Sequence, residues 1–122
     1  MIINFLIIIQ EKMKRLSDAE EMVMSVIWNN DELMSLEEIR KKSYEKYGKD
    51  WKPQTVSTFL ARLREKGFVS FEKKGRYCFY TPIVCRQEYV KMSYSLMVTR
   101  FYCGDAKKME ADVSKEYNLP LA

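Results

Sequence analysis

The chain contains no histidine, only 4 glycines and 3 prolines, and 3 cysteines among 122 residues. Without histidine there is no Ser-His-Asp triad, no Cys-His pair and no imidazole metal ligand. Cys78, Cys85 and Cys103 are odd in number and include no close C-x-x-C pair, so neither a disulfide framework nor a tetrahedral zinc site is expected. Reduced, mostly buried thiols in a cytoplasmic protein are the expectation. There is no phosphate-binding glycine loop, and no paired-carboxylate constellation stands out. The chain therefore reads as a non-enzyme without a cofactor or bound metal. Scarce glycine and proline, with many Glu, Lys, Leu and Met, favour a mostly helical fold.

A long hydrophobic run is missing too. Residues 1–9 are almost wholly apolar, but a membrane-spanning helix needs about 20 such residues. No basic start or small-residue cleavage site marks a signal peptide. Residues 1–12 are read as an apolar extension that packs as an extra element, anchors a partner or reflects start-site choice, since Met13 can begin a complete protein. Membrane insertion is not expected.

What is present is a single domain's length of globular composition, 47% hydrophobic and 31% charged. The net charge of +4 is unevenly spread. Residues 40–83 hold 12 Lys and Arg against 4 Asp and Glu, a local excess of +8, while the remainder carries −4. Such a concentration points to a polyanionic partner.

Two capping boxes are legible. Ser17 and Glu20 open a first helix whose stripe is Ala19, Met22, Val23, Val26 and Ile27, and Ser35 and Glu38 open a second. The second is expected to bury Leu36, Ile39 and Tyr44 or Tyr47, and to stop at Gly48. Pro53 suits the first position of a third helix running to Lys66, with Val56, Phe59, Leu60 and Leu63 inward and Gly67 beyond its end. Phe68–Glu72 and Arg76–Thr81 read as strands around a "KKG" turn, with Val69 and Phe71 assigned to the core. A long helix from Cys85 to Tyr102 and a shorter one from Ala106 follow. The fold class is mainly α with a small β-hairpin: 13–83 as a winged helix-turn-helix and 84–122 as a helical dimerisation region.

Three helices and a hairpin suit a DNA reader in which the third helix enters the major groove and the hairpin forms a wing. The DNA-facing set is Lys52, Gln54, Thr55, Ser57, Thr58 and Arg62, with Lys73, Lys74 and Arg76 at the wing tip. The hydroxyls suit phosphates and base edges, Gln54 suits adenine, and the cations suit phosphate. The competing reading is a winged-helix protein-protein interaction module without sequence-specific DNA binding. Tyr89, Met92, Leu96, Met97 and Phe101, with Met109 and Val113 in the last helix, are more apolar surface than a small winged helix requires. A second copy would cover it.

"LSDAEEMVMSVIW", "KPQTVSTFLARLREKGFV", "GRYCFYTPIV" and "SLMVTRFYCGD" stand in the order and spacing of the penicillinase-repressor family, which the chain resembles over about residues 16–117. The resemblance implies a homodimeric winged-helix repressor that binds double-stranded DNA at a palindromic operator. It also implies a membrane sensor-protease system as a partner that triggers cleavage of the repressor. By position it makes the helix bearing "TVSTFLARL" the recognition helix. The chain departs from the pattern at Glu21, where the family usually has Trp, and at Lys52, where a capping Ser or Asp is common. The family's Asn-Phe cleavage point aligns with Asp112-Val113. The cysteine-rich metal site of copper-responsive relatives is missing.

Overall fold

A computed structural model describes residues 15–120 of the chain. The described residues fall into two compact units, one ending at Arg86 and the other running from Gln87. The apolar extension expected over residues 1–12 lies outside the described residues.

The first unit contains α1 (Asp18–Trp28), β1 (Met34–Ser35), α2 (Leu36–Tyr47), α3 (Pro53–Glu65), β2 (Val69–Lys74) and β3 (Tyr77–Pro82). Both capping boxes form. The Glu20 N–H donates to Ser17 Oγ at 3.2 Å and the Ser17 N–H donates to Glu20 Oε1 at 2.8 Å. Ser35 and Glu38 repeat the arrangement at 3.2 Å in each direction. These side chains satisfy N–H groups that the first helical turn leaves without partners. Gly48 ends α2 at φ +68°, a conformation that penalises any Cβ.

The core is built from Val23, Met24, Val26 and Ile27 of α1, Ile39 of α2, Val56, Leu60 and Leu63 of α3, and Met34, Phe68 and Val69. Of the two tyrosines expected as alternatives in α2, Tyr47 is the one that lies inward. Tyr44 is exposed, and the inward line passes through Ile39, Ser43 and Tyr47 at four-residue spacing. Ser43 tolerates burial because its hydroxyl donates to the Ile39 carbonyl at 2.7 Å. Tyr47 is half-buried, and its hydroxyl hydrogen-bonds to Ser25.

The sheet has three antiparallel strands in the order β1-β3-β2. Beyond the expected hairpin, a third strand, β1, joins the sheet. The two-residue β1 pairs Met34 with Tyr80 and Ser35 with Phe79. The hairpin strands also lie one or two residues further along than expected, because Phe68 belongs to the core. Its N–H donates to the Leu63 carbonyl at 2.9 Å, and its own carbonyl accepts from the Ile83 N–H at 2.7 Å. Lys74 pairs with Tyr77, so Gly75 and Arg76 form the tip, with Gly75 at φ +64°. Phe71, expected in the core, is 39% exposed.

The second unit contains most of α4 (Arg86–Phe101) and all of α5 (Ala106–Glu116). Asp105 caps α5, accepting from the Lys108 N–H at 3.2 Å. The Tyr102 hydroxyl donates to Asp112 Oδ2 at 2.8 Å. Tyr89, Met92 and Leu96 are buried, while Met97 and Phe101 are exposed. Cys85 and Cys103 are exposed rather than buried, and Cys78 is half-buried.

Candidate nucleic-acid interface

The third helix divides cleanly into two faces. Val56, Leu60 and Leu63 are essentially inaccessible, and their spacing puts them on one stripe. Phe59 flanks that stripe half-buried and meets the Trp51 ring edge-on, with centroids 5.1 Å apart. Arg40 reaches from α2 towards the Trp51 carbonyl at 3.5 Å, and its guanidinium is also held by Glu37. The loop entering α3 is thereby tied to α2, which sets where the helix begins.

Gln54, Ser57, Thr58, Ala61, Arg62 and Glu65 form the exposed face. The side chains of Gln54 and Ser57 are exposed and make no hydrogen bond among the described residues. Thr58 donates its hydroxyl proton to the Gln54 carbonyl at 3.0 Å and keeps only acceptor capacity for a ligand. Thr55 is half-buried. Lys52 occupies the N-cap position and makes no capping bond. It is exposed, as are Arg62, Lys73, Lys74 and Arg76.

Charge pairing sharpens the picture. Of the 12 cationic side chains in residues 40–83, Arg40 pairs with Glu37, Lys42 with Glu45 and Lys66 with Glu20. Among the described residues the other nine carry no ion pair, so the +8 excess of residues 40–83 is held mostly on unpaired side chains. Lys52, Arg62, Lys73, Lys74 and Arg76 all belong to that unpaired group.

Arg64, to which the sequence pattern assigns no role, and Phe71, which it assigns to the core, lie beside this face. Arg64 sits over the Phe71 ring, its guanidinium carbon 3.9 Å from the centroid. Ala61, Arg64, Glu65, Val69, Ser70 and Phe71 line an open cleft between α3 and β2. Only a cross-element contact reveals this pairing, because seven residues and a chain reversal separate the two side chains.

The chain's relatives fit this geometry. The family described as "Penicillinase repressor" matches residues 16–120, which spans every element from α1 to α5. The chain belongs to the penicillinase-repressor family. It is 34% identical to the penicillinase repressor of Bacillus licheniformis over 99 residues, covering 81% of this chain and 75% of that one. It is 28% identical to the methicillin resistance regulatory protein MecI of Staphylococcus aureus strain N315, covering 76% and 73%. Among solved structures, the DNA-binding domain of the repressor BlaI superposes with a TM-score of 0.53 at 36% identity, over 62% of this chain and 88% of that domain. The B. licheniformis BlaI monomer in complex with the blaP half-operator gives 0.52 at 35% identity, over 63% and 90%. The hsRosR-S4 complex shares the fold over 89% of this chain and 96% of that one, with a TM-score of 0.59 at 17% identity.

The penicillinase-repressor family comprises winged-helix DNA-binding regulators of transcription, not enzymes. The order of α1, α2, α3 and the β2–β3 hairpin in this chain is that of a winged helix-turn-helix. No described helix is long and apolar enough to cross a membrane. Among the described residues, no group of three or more His, Cys, Asp or Glu side chains is placed to hold a metal ion.

Proposed function

We propose that this chain is a dimeric repressor that reads a palindromic operator with α3 in the major groove. Gln54 and Ser57 read base edges or nearby phosphates, and Thr55 and Thr58 pack beside them. Lys52, Arg62, Lys73, Lys74 and Arg76 hold the backbone. The observation that carries the reading is the exposed polar face of α3 flanked by unpaired cations, on a chain similar to a repressor solved with its half-operator. Phosphate contacts supply most of the affinity and make it salt-dependent, whereas groove contacts supply selection.

Residues 13–83 are assigned to DNA and residues 84–122 to pairing. Support for pairing comes from exposed Met97, Phe101 and Val113, with Phe101 75% accessible. Tyr94 and Tyr117 extend the same apolar exposure. Met109 is half-buried, and Tyr89, Met92 and Leu96 are buried within the protomer. The repressor acts in the cytoplasm, and a membrane sensor-protease system releases it from DNA. Cleavage at Asp112-Val113 would require α5 to unwind locally, since both residues lie inside that helix.

Hydroxyl-radical footprinting tests the paired arrangement. On a duplex selected by the chain from a random-sequence pool, two symmetry-related protected patches about one helical turn apart are expected. A single patch at saturating protein contradicts the dimer. Absence of any salt-sensitive binding favours a protein-docking winged helix instead.

A further inference from the structure

We propose that Arg64, stacked on Phe71, is an additional phosphate-contacting residue, and that Phe71 is its positioning residue. The pair bridges the recognition helix and the wing. This rests on the DNA-binding reading above and adds to it a contact that the sequence pattern does not reveal.

Arg64 lies three residues after Ala61 and seven after Ser57, so all three share one row of α3. That row is the exposed one, continuous with the face proposed to meet DNA. The guanidinium lies 3.9 Å from the Phe71 centroid, close enough for a cation–π contact. Phe71 is itself backed by Tyr80, its cross-strand partner, with ring centroids 6.4 Å apart. The stack therefore runs from β3 through β2 to α3.

A guanidinium held over a ring by its charge keeps N–H donors free for a further ligand. No carboxylate neutralises Arg64 among the described residues, although Glu65 lines the same cleft. Arg64 is therefore a charged, exposed donor group whose guanidinium carbon is seated over an aromatic ring. Immobilising a free arginine on binding costs rotamer entropy, and the aromatic platform reduces that cost. A planar fork of this kind matches a phosphate in bidentate geometry. The exposure of Phe71 follows from the same arrangement: its ring serves a cation rather than the core.

The test measures equilibrium binding by fluorescence anisotropy across a salt series, using a duplex selected by the wild-type full-length chain from a random-sequence pool. Arg64→Met should weaken binding about tenfold, as expected for losing a charged hydrogen bond. It should also reduce the slope of log K against log[salt] by about 0.9, the value for one phosphate contact. Phe71→Leu should weaken binding by roughly two- to fivefold, the range of an exposed cation–π contact, with the slope nearly retained. In the Arg64→Met background, Phe71→Leu should have no further effect. Lys107→Met, which removes one charge in α5, is the control for net charge. Matching thermal melts of the variants exclude misfolding as the cause. If Arg64→Met behaves like Lys107→Met, or if the two substitutions are additive, the proposal is overturned. If the wild-type chain shows no salt-sensitive DNA binding, both this proposal and the DNA-binding reading fall.

Discussion

Replacing Lys66 with methionine removes the cation that keeps Glu20 charged inside the protein. Glu20 is 1% exposed. Its Oε1 accepts from Lys66 Nζ at 2.6 Å and from the Ser17 N–H at 2.8 Å. Lys66 also donates to the Arg15 carbonyl at 3.3 Å, so one ammonium ties the end of α3 to the start of α1. Burial alone would raise the Glu20 pKa. The Lys66 hydrogen bond, the Ser17 backbone N–H, the Lys66 charge and the Ser17 hydroxyl together outweigh it and hold the carboxyl below its ordinary range. Removing one partner of a fully buried pair costs about 3–5 kcal/mol. The Lys66 side chain is 26% exposed, so water already reaches the ammonium and the figure is reduced to about 2–3 kcal/mol. For a chain of this size that lowers Tm by about 10 °C.

The pH dependence gives the prediction a second arm. A carboxyl with a depressed folded pKa stabilises the protein above its unfolded pKa of roughly 4.3, and that contribution is lost as pH falls through the folded value. In Lys66→Met the same carboxyl is buried without a cation, and its pKa moves upward. The variant's penalty therefore shrinks on acidification, and the gap from wild type narrows below about pH 5. Circular dichroism melts at fixed protomer concentration, at neutral pH and in an acidic series, measure both effects. The reasoning is refuted by a Tm loss under about 2 °C at neutral pH. A gap that does not change with pH refutes it equally.

Leu60→Ala should destabilise by about 2–5 kcal/mol in a urea unfolding titration, because Leu60 is 1% exposed and its removal leaves a cavity under α3. Ser35→Ala should cost about 1 kcal/mol in the same assay, through loss of the hydroxyl that accepts from the Glu38 N–H. Lys74→Ala should leave stability unchanged within about 0.5 kcal/mol, because Lys74 is exposed and forms no ion pair among the described residues. It should weaken binding to selected and random duplexes alike and flatten the salt slope by about 0.9 in an anisotropy titration.

Much of the fold was legible because its signals are local. Capping boxes at Ser17 and Ser35, Pro53 at a helix start and the stripe Val56–Leu60–Leu63 are all properties of short windows. The misreadings share the opposite property. β1 is two residues long and exists only through its pairing with β3, so no periodicity announces it. Phe71 alternates correctly with its neighbours, but period-2 spacing names a face without saying whether core or cation covers it. The local pattern marks Glu20 as a cap, which it is, yet its buried charge is compensated by Lys66, 46 residues away. Ser43 looks like a surface residue until its hydroxyl is seen bonded within the helix. In the candidate interface the exposed face of α3 was legible from amphipathic spacing, whereas the Arg64 platform was not, because it forms between a helix and a strand.

The central claim is that the exposed row of α3 selects DNA sequence. Its most direct measurement is the ratio of affinities for a selected duplex and a scrambled one, at matched salt, for wild type and for the Gln54→Ala/Ser57→Ala variant. Affinity for the selected duplex should fall by at least about tenfold, the value of one good base contact, while affinity for the scrambled duplex barely changes. An unchanged ratio in the variant would contradict it and place sequence reading on some other surface of the chain.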